Sequence, residues 1–114
     1  MAEATNEFCF LYSTYPDLDS ARAAARLAIE EKLAACVNIY PGMTSLYVWQ
    51  GKMEESHEFA AFFKTRRALV DKAINALWAV HTYELPCFVV LPLEGGSSDY
   101  LAWVRQQTEQ ADSI

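Results

Sequence analysis

Lys32 to Thr65, KLAACVNIYPGMTSLYVWQGKMEESHEFAAFFKT, contains two long strand-type runs folded back on each other around Gln50-Gly51, and this hairpin decides the fold. The first run, Cys36 to Gln50, is rich in Val, Ile, Tyr and Trp but is interrupted by Pro41-Gly42. Proline cannot donate to a strand ladder, and glycine inside a strand marks a bulge or bend, so the strand should kink there and continue. Beyond the kink Leu46, Val48 and Met53 alternate with Ser45, Tyr47, Gln50 and Lys52, the period-two pattern of a half-buried hairpin. Two arms of this length exceed what so small a chain can bury by itself. The pattern therefore predicts strands that pair between copies of the chain and bury Tyr47, Trp49 and their neighbours.

Working outward, Glu7 to Thr14 (EFCFLYST) reads as a first, mostly apolar strand, and Tyr15-Pro16-Asp17 turns the chain. Asp17 or Asp19 can cap an alanine-rich helix running to Leu33, with Leu18, Ala21, Ala25, Ala28 and Ile29 on one face. After the hairpin, Arg66 to Val80 carries Leu69, Ala73, Ile74, Leu77 and Val80 at helical spacing. Tyr83-Glu84-Leu85-Pro86 ends that pattern, because the residue before proline is pushed toward extended geometry. Cys87 to Leu93 is a fourth strand, and Pro92 near its end suits an edge position. Gly95-Gly96-Ser97-Ser98 reads as a flexible turn, and Ser98 or Asp99 caps a short helix from Tyr100 to about Thr108. The terminal ADSI reads as frayed. The order β-α-β-β-α-β with a short C-terminal helix is an α+β, ferredoxin-like split βαβ sandwich whose second and third strands form the long hairpin.

A chain of 114 residues with 53% hydrophobic content fits one domain, residues 1–114 with a core of about 7–108. Fifteen acids against nine bases give a net charge of −6, a field that repels a phosphate backbone, so nucleic acid is not an expected partner. No apolar run is long enough to span a membrane, and MAEATNEF has acids where a signal peptide carries positive charge. The expectation is a soluble, cytoplasmic protein with no membrane partner. Cys9, Cys36 and Cys87 each read as inside an apolar strand-type run and form no CxxC or zinc-ligand spacing, so they read as buried small hydrophobes in a reducing compartment. There is no GxSxG, HExxH, P-loop or GxGxxG. A Cys87 and His81 pair is weakened as a nucleophile because an apolar strand disfavours a thiolate. No catalytic residue, enzyme activity or required cofactor is expected.

LAACVNIYPGMTSLYVWQGK, the glutamate-rich patch and FFKT after it, then HTYELPCFVVLP and DYLAWV, together resemble the blocks of the CutA family of divalent-cation tolerance proteins. The resemblance runs in order from about Phe8 to Trp103. It implies a ferredoxin-like subunit, a tight homotrimer built by long hairpins, and a loose association with copper or other divalent metals. Copper-binding members carry a cysteine in the first strand and two adjacent histidines before the YxxP block, positions held here by Ser13, Val80 and His81. His81 is therefore the one metal-ligand candidate, and its structural alternative is a histidine stabilised at a helix C-terminus. His57 sits with Glu54, Glu55 and Glu58, which could gather a divalent cation only with help from another subunit and read first as a solvated acidic rim.

Trp49, Glu58, Lys64, Tyr83 and Trp103 fall in the blocks that carry the resemblance and are the candidates for a ligand cleft at a seam between subunits. Lys64, late in an apolar strand, suits a small anion, though a lysine there also commonly reaches out to water. Trp and Tyr gather at oligomer interfaces without any ligand as well. A second reading, from another class, is a signalling trimer similar to nitrogen-regulatory proteins that holds a small anionic effector in clefts between subunits.

Overall fold

The structure is a computed structural model that describes residues 1–110; the terminal ADSI lies outside the described residues. Its main sheet has four strands, β2 (Phe8–Tyr15), β3 (Cys36–Trp49), β4 (Lys52–Arg66) and β5 (Phe88–Pro92), in the order β3-β4-β2-β5 with every neighbouring pair antiparallel. Helices α1 (Leu18–Glu30) and α2 (Val70–Val80) make the two crossovers, the ferredoxin-like arrangement expected from periodicity. Asp17 is the N-cap of α1, its Oδ1 accepting from the Ser20 amide at 2.7 Å. A 3₁₀ turn, Arg67–Leu69, separates β4 from α2, so the second helix starts later than its apolar spacing suggested.

Side-chain alternation splits the sheet cleanly. Leu11, Tyr15, Ala61 and Phe63 are buried against Ala21, Ala24 and Ala28 of α1 and Ala73 and Leu77 of α2, forming the principal core. The buried stripe of α1 is thus Ala21, Ala24 and Ala28; Ile29 is 42% exposed and Val80 of α2 is 54% exposed. Alanines at the contact let the helix lie close to the strands, and that close approach selects the smallest residues rather than the most hydrophobic face.

The hairpin has the expected landmarks. Gln50 and Gly51 turn with φ of 51° and 81°, the left-handed geometry of a two-residue hairpin loop. The β3-β4 register shifts between Tyr40 and Met43: Tyr40 faces Ala60 and Met43 faces Glu58, so one extra residue is accommodated at Pro41-Gly42, with Gly42 at φ 78°. The expectation of a half-buried arm is corrected within one chain. Leu46, Val48 and Met53 are 63%, 65% and 72% exposed, and Tyr47 on the other side is 44% exposed. No second layer of the same chain reaches this far, and the molecule measures 46 × 32 × 22 Å.

The chain termini hold a feature the sequence did not announce. Gly95–Ser97 is not a flexible turn but a strand, β6, paired antiparallel with β1 (Ala2–Ala4) in a separate two-stranded sheet. Gly95 is required there because a Cβ would collide with the Glu3 carbonyl oxygen. β6 leads directly into α3 (Ser98–Gln107), whose Leu101 and Val104 pack with Phe8 in a second, smaller core. Phe8 shares strand parity with Phe10 and Lys64, so α3 covers one end of the sheet face opposite α1 and α2. Arg105 of α3 ties this corner down, its guanidinium donating to both carboxylate oxygens of Glu7 at 2.9 and 3.1 Å. That pairing holds the Glu7 carboxyl below its ordinary pKa.

Candidate functional site

The residues singled out from sequence fall into three places in the protomer. At the first, Glu58 and Tyr83 meet. Glu58 lies on β4 directly after the bulge, only 8% exposed, and the Tyr83 phenol donates to its Oε2 at 2.7 Å. A buried carboxylate requires such a donor, since a charge removed from water without one is strongly disfavoured. Burial first, then the bond to Glu58, pushes the Tyr83 phenol well above its usual range. Nearby, Cys87 is half-buried and free, and burial followed by the Glu58 charge pushes its thiol up, which disfavours a thiolate nucleophile. Of the three cysteines only Cys9 is fully buried, so the expectation of three buried thiols holds for one.

His81 orients the turn that delivers Tyr83. It caps the C-terminus of α2, and its Nδ1 accepts from the Tyr83 amide at 3.1 Å. That bond assigns the ring proton to Nε2, which donates to the Thr14 carbonyl at 2.8 Å. The ring also stacks on Tyr15, with centroids 4.5 Å apart, and leans on Tyr83 and Phe88. Tyr15 itself is buried with a hydroxyl that has no hydrogen-bond partner among the described residues, and burial raises its pKa to about 12.

The three positions aligned with copper ligands do not make a donor set as they stand. Ser13 is fully buried and its Oγ donates to the Cys87 carbonyl at 2.6 Å. Val80 is apolar and points largely to solvent, while both His81 nitrogens are already bonded. A metal at His81 would have to displace the Thr14 or the Tyr83 bond. Among the described residues, no group of three or more His, Cys, Asp or Glu side chains is gathered to hold a metal ion.

The second place is Lys64, six residues along β4 from Glu58 and roughly 20 Å away at the rise of an extended strand. Within one protomer the two do not meet. Lys64 Nζ lies 3.5 Å from the Tyr100 hydroxyl and over the rings of Phe10 and Tyr100, 5.8 and 5.5 Å from their centroids. Trp103, one turn further along α3, packs its ring against Tyr100 at 5.6 Å. Sequence reasoning missed Tyr100; its signal was the spacing of Tyr100 and Trp103 in DYLAWV, which puts two rings on adjoining positions of one helix face. The third place is Trp49, at the tip of the hairpin and 36% exposed.

Between Lys64 and the hairpin, the sheet face opposite α1 and α2 is an aromatic surface. Phe62 is packed by Phe10, Tyr12 and Tyr40, with centroids 6.2, 5.2 and 5.7 Å away. Tyr40, Val89 and Leu91 on this face are 60%, 48% and 39% exposed. Among the described residues, no helix is long and apolar enough to cross a membrane.

Residues 9–107 match the family model described as CutA1 divalent ion tolerance protein. The human Protein CutA is 43% identical over 104 residues, covering 90% of this chain and 58% of its own length. The divalent-cation tolerance protein CutA of Thermus thermophilus is 42% identical over 95 residues, covering 83% of this chain and 92% of its own length. The solved structure of CutA from Synechococcus elongatus superposes with a TM-score of 0.91 at 32% identity and covers 96% of each chain. The chain thus spans little more than half the length of the human relative and nearly all of the bacterial ones.

Proposed function

The chain belongs to the CutA1 divalent ion tolerance protein family, and from that premise we propose that it acts in the cytoplasm as a non-catalytic homotrimer in the cell's response to divalent metal, copper included. The observation that supports the assembly is the distribution of apolar surface. Leu46, Tyr47, Val48 and Met53 are exposed on both sides of the hairpin, and Tyr40, Val89 and Leu91 are exposed on the open sheet face. Exposed apolar side chains in this number belong against protein, and two long strands with free edges offer the backbone pairing to hold them. A closed ring of copies satisfies every such edge without leading to a fibre.

In this reading the hairpin of one copy lies over the sheet of the next, and the clefts so formed gather Trp49, Glu58, Lys64, Tyr83 and Trp103. The link to copper does not run through a site made of Ser13, Val80 and His81, whose donors are absent or already committed. A second reading, the effector-binding signalling trimer, is favoured by one specific observation: Lys64 stands beside a cavity with no carboxylate paired to it among the described residues.

Sedimentation equilibrium at micromolar concentration tests the assembly. Three times the chain mass of 12.9 kDa is expected. A monomer would refute both the homotrimer and the inter-subunit clefts.

A further inference from the structure

A cavity of about 200 Å³ lies between α3, β6 and the paired strands β2 and β4. Phe8, Leu93, Leu101 and Val104 form apolar walls; Lys64 and Tyr100 bring an ammonium and a phenol to the lining, while the Thr65 hydroxyl there is already committed to the Leu33 carbonyl. Among the described residues Lys64 shares the lack of an ion pair with most bases of this chain; what sets it apart is its place in the wall of an apolar hollow. The ion pairs of the described residues are those of Arg105 with Glu3 and Glu7, and none includes Lys64. Its ammonium instead stands over two aromatic faces with a phenol at 3.5 Å. One uncompensated cation beside an apolar hollow is complementary to one anion with an apolar body.

We propose that this cavity binds a small monocarboxylate with a compact apolar body, an aryl or branched aliphatic acid. Its carboxylate pairs with the Lys64 ammonium, the Tyr100 hydroxyl is the second donor, and its body fills the space against Phe8, Leu101 and Val104. Size supports this class, because 200 Å³ is below the roughly 300–1,000 Å³ that drug-sized ligands occupy. Charge supports it as well. A phosphate dianion would bring two charges to a single cation and lose its hydration against hydrocarbon walls, whereas a monocarboxylate is matched one to one. The proposal rests on the effector part of the reading above and names its ligand class; the groups it uses all belong to one chain, so binding and assembly are measured separately.

Titration calorimetry of the full chain with benzoate as the probe, and benzamide as its uncharged isostere, tests it. Benzoate should bind once per chain with a Kd of about 1 mM or tighter. Lys64→Met should weaken it more than about tenfold and Tyr100→Phe by about threefold to tenfold, as removal of a charged and a neutral hydrogen-bond partner predicts. Benzamide should bind at least about tenfold more weakly than benzoate in the unmodified protein. Circular dichroism and sedimentation of Lys64→Met accompany the titration. Loss of binding with fold and assembly unchanged supports the site. Loss of the assembly in that variant would make Lys64 a subunit contact and overturn it. So would an absence of benzoate binding up to about 10 mM, or equal binding of benzoate by Lys64→Met. A monomeric protein that still binds benzoate through Lys64 would reject the homotrimer and keep the site; a trimer that ignores benzoate would do the reverse.

Discussion

Tyr83→Phe isolates the hydrogen bond at the Glu58 cluster, because it deletes one oxygen and leaves the ring that packs on His81. Glu58 is 8% exposed and receives the Tyr83 phenol at 2.7 Å, so water has little access to replace the lost donor. A hydrogen bond to a charged group contributes about 1.5–3 kcal/mol, and the poor access of water favours the middle of that range, about 2 kcal/mol. For a domain of this size that corresponds to a fall in Tm of roughly 6–10 °C. Thermal melting at one fixed protein concentration is the assay, since any assembly makes Tm depend on concentration. The companion variant Glu58→Gln and the double variant close a cycle, in which the two substitutions together should destabilise by about 1 kcal/mol or more less than the sum of their separate effects. If Tyr83→Phe melts within about 1 °C of the parent, corresponding to a few tenths of a kcal/mol, Glu58 does not depend on Tyr83 and the cluster reasoning fails.

Two further predictions concern titration and metal. Tyr83 and Tyr15 both have folded pKa values raised by burial, Tyr15 to about 12, so their neutral forms favour the fold and stability should be constant below the ordinary tyrosine pKa near 10 and fall as pH rises above it. Tyr15→Phe should flatten that alkaline decline in a denaturant series; an unchanged slope would show that its hydroxyl titrates freely. The unmodified protein should hold cupric ion no more tightly than a lone exposed imidazole, because Ser13 is buried in a bond to a carbonyl and Val80 is apolar. Sub-micromolar copper binding abolished by His81→Ala would refute this and show His81 giving up a hydrogen bond to take the metal.

The features legible in the sequence are those written in short-range patterns. Gln50-Gly51 supplies two left-handed residues, Pro41-Gly42 supplies a bulge, and apolar periodicity separates strand from helix, so the hairpin, its kink and the order of the main elements follow from local steric and hydrophobic rules. Tertiary structure decided what depends on distant neighbours. Gly95-Gly96 carries the same backbone freedom in a turn or a strand, and it became a strand only because Ala2–Ala4 lies beside it, closer than any Cβ at Gly95 would allow. The buried stripe of α1 was set by how closely that helix approaches the sheet, a distance no single segment encodes. Glu58, Tyr83 and Lys64 each stood out by residue type, yet the turn after α2 joined the first two, and the third stands six residues along the same strand as Glu58, beside an α3 tyrosine that periodicity had not marked. His81 shows the reason most directly: its identity allows a metal ligand or a neutral hydrogen-bonding ring, and the choice rests on the Thr14 carbonyl, 67 residues away in the chain.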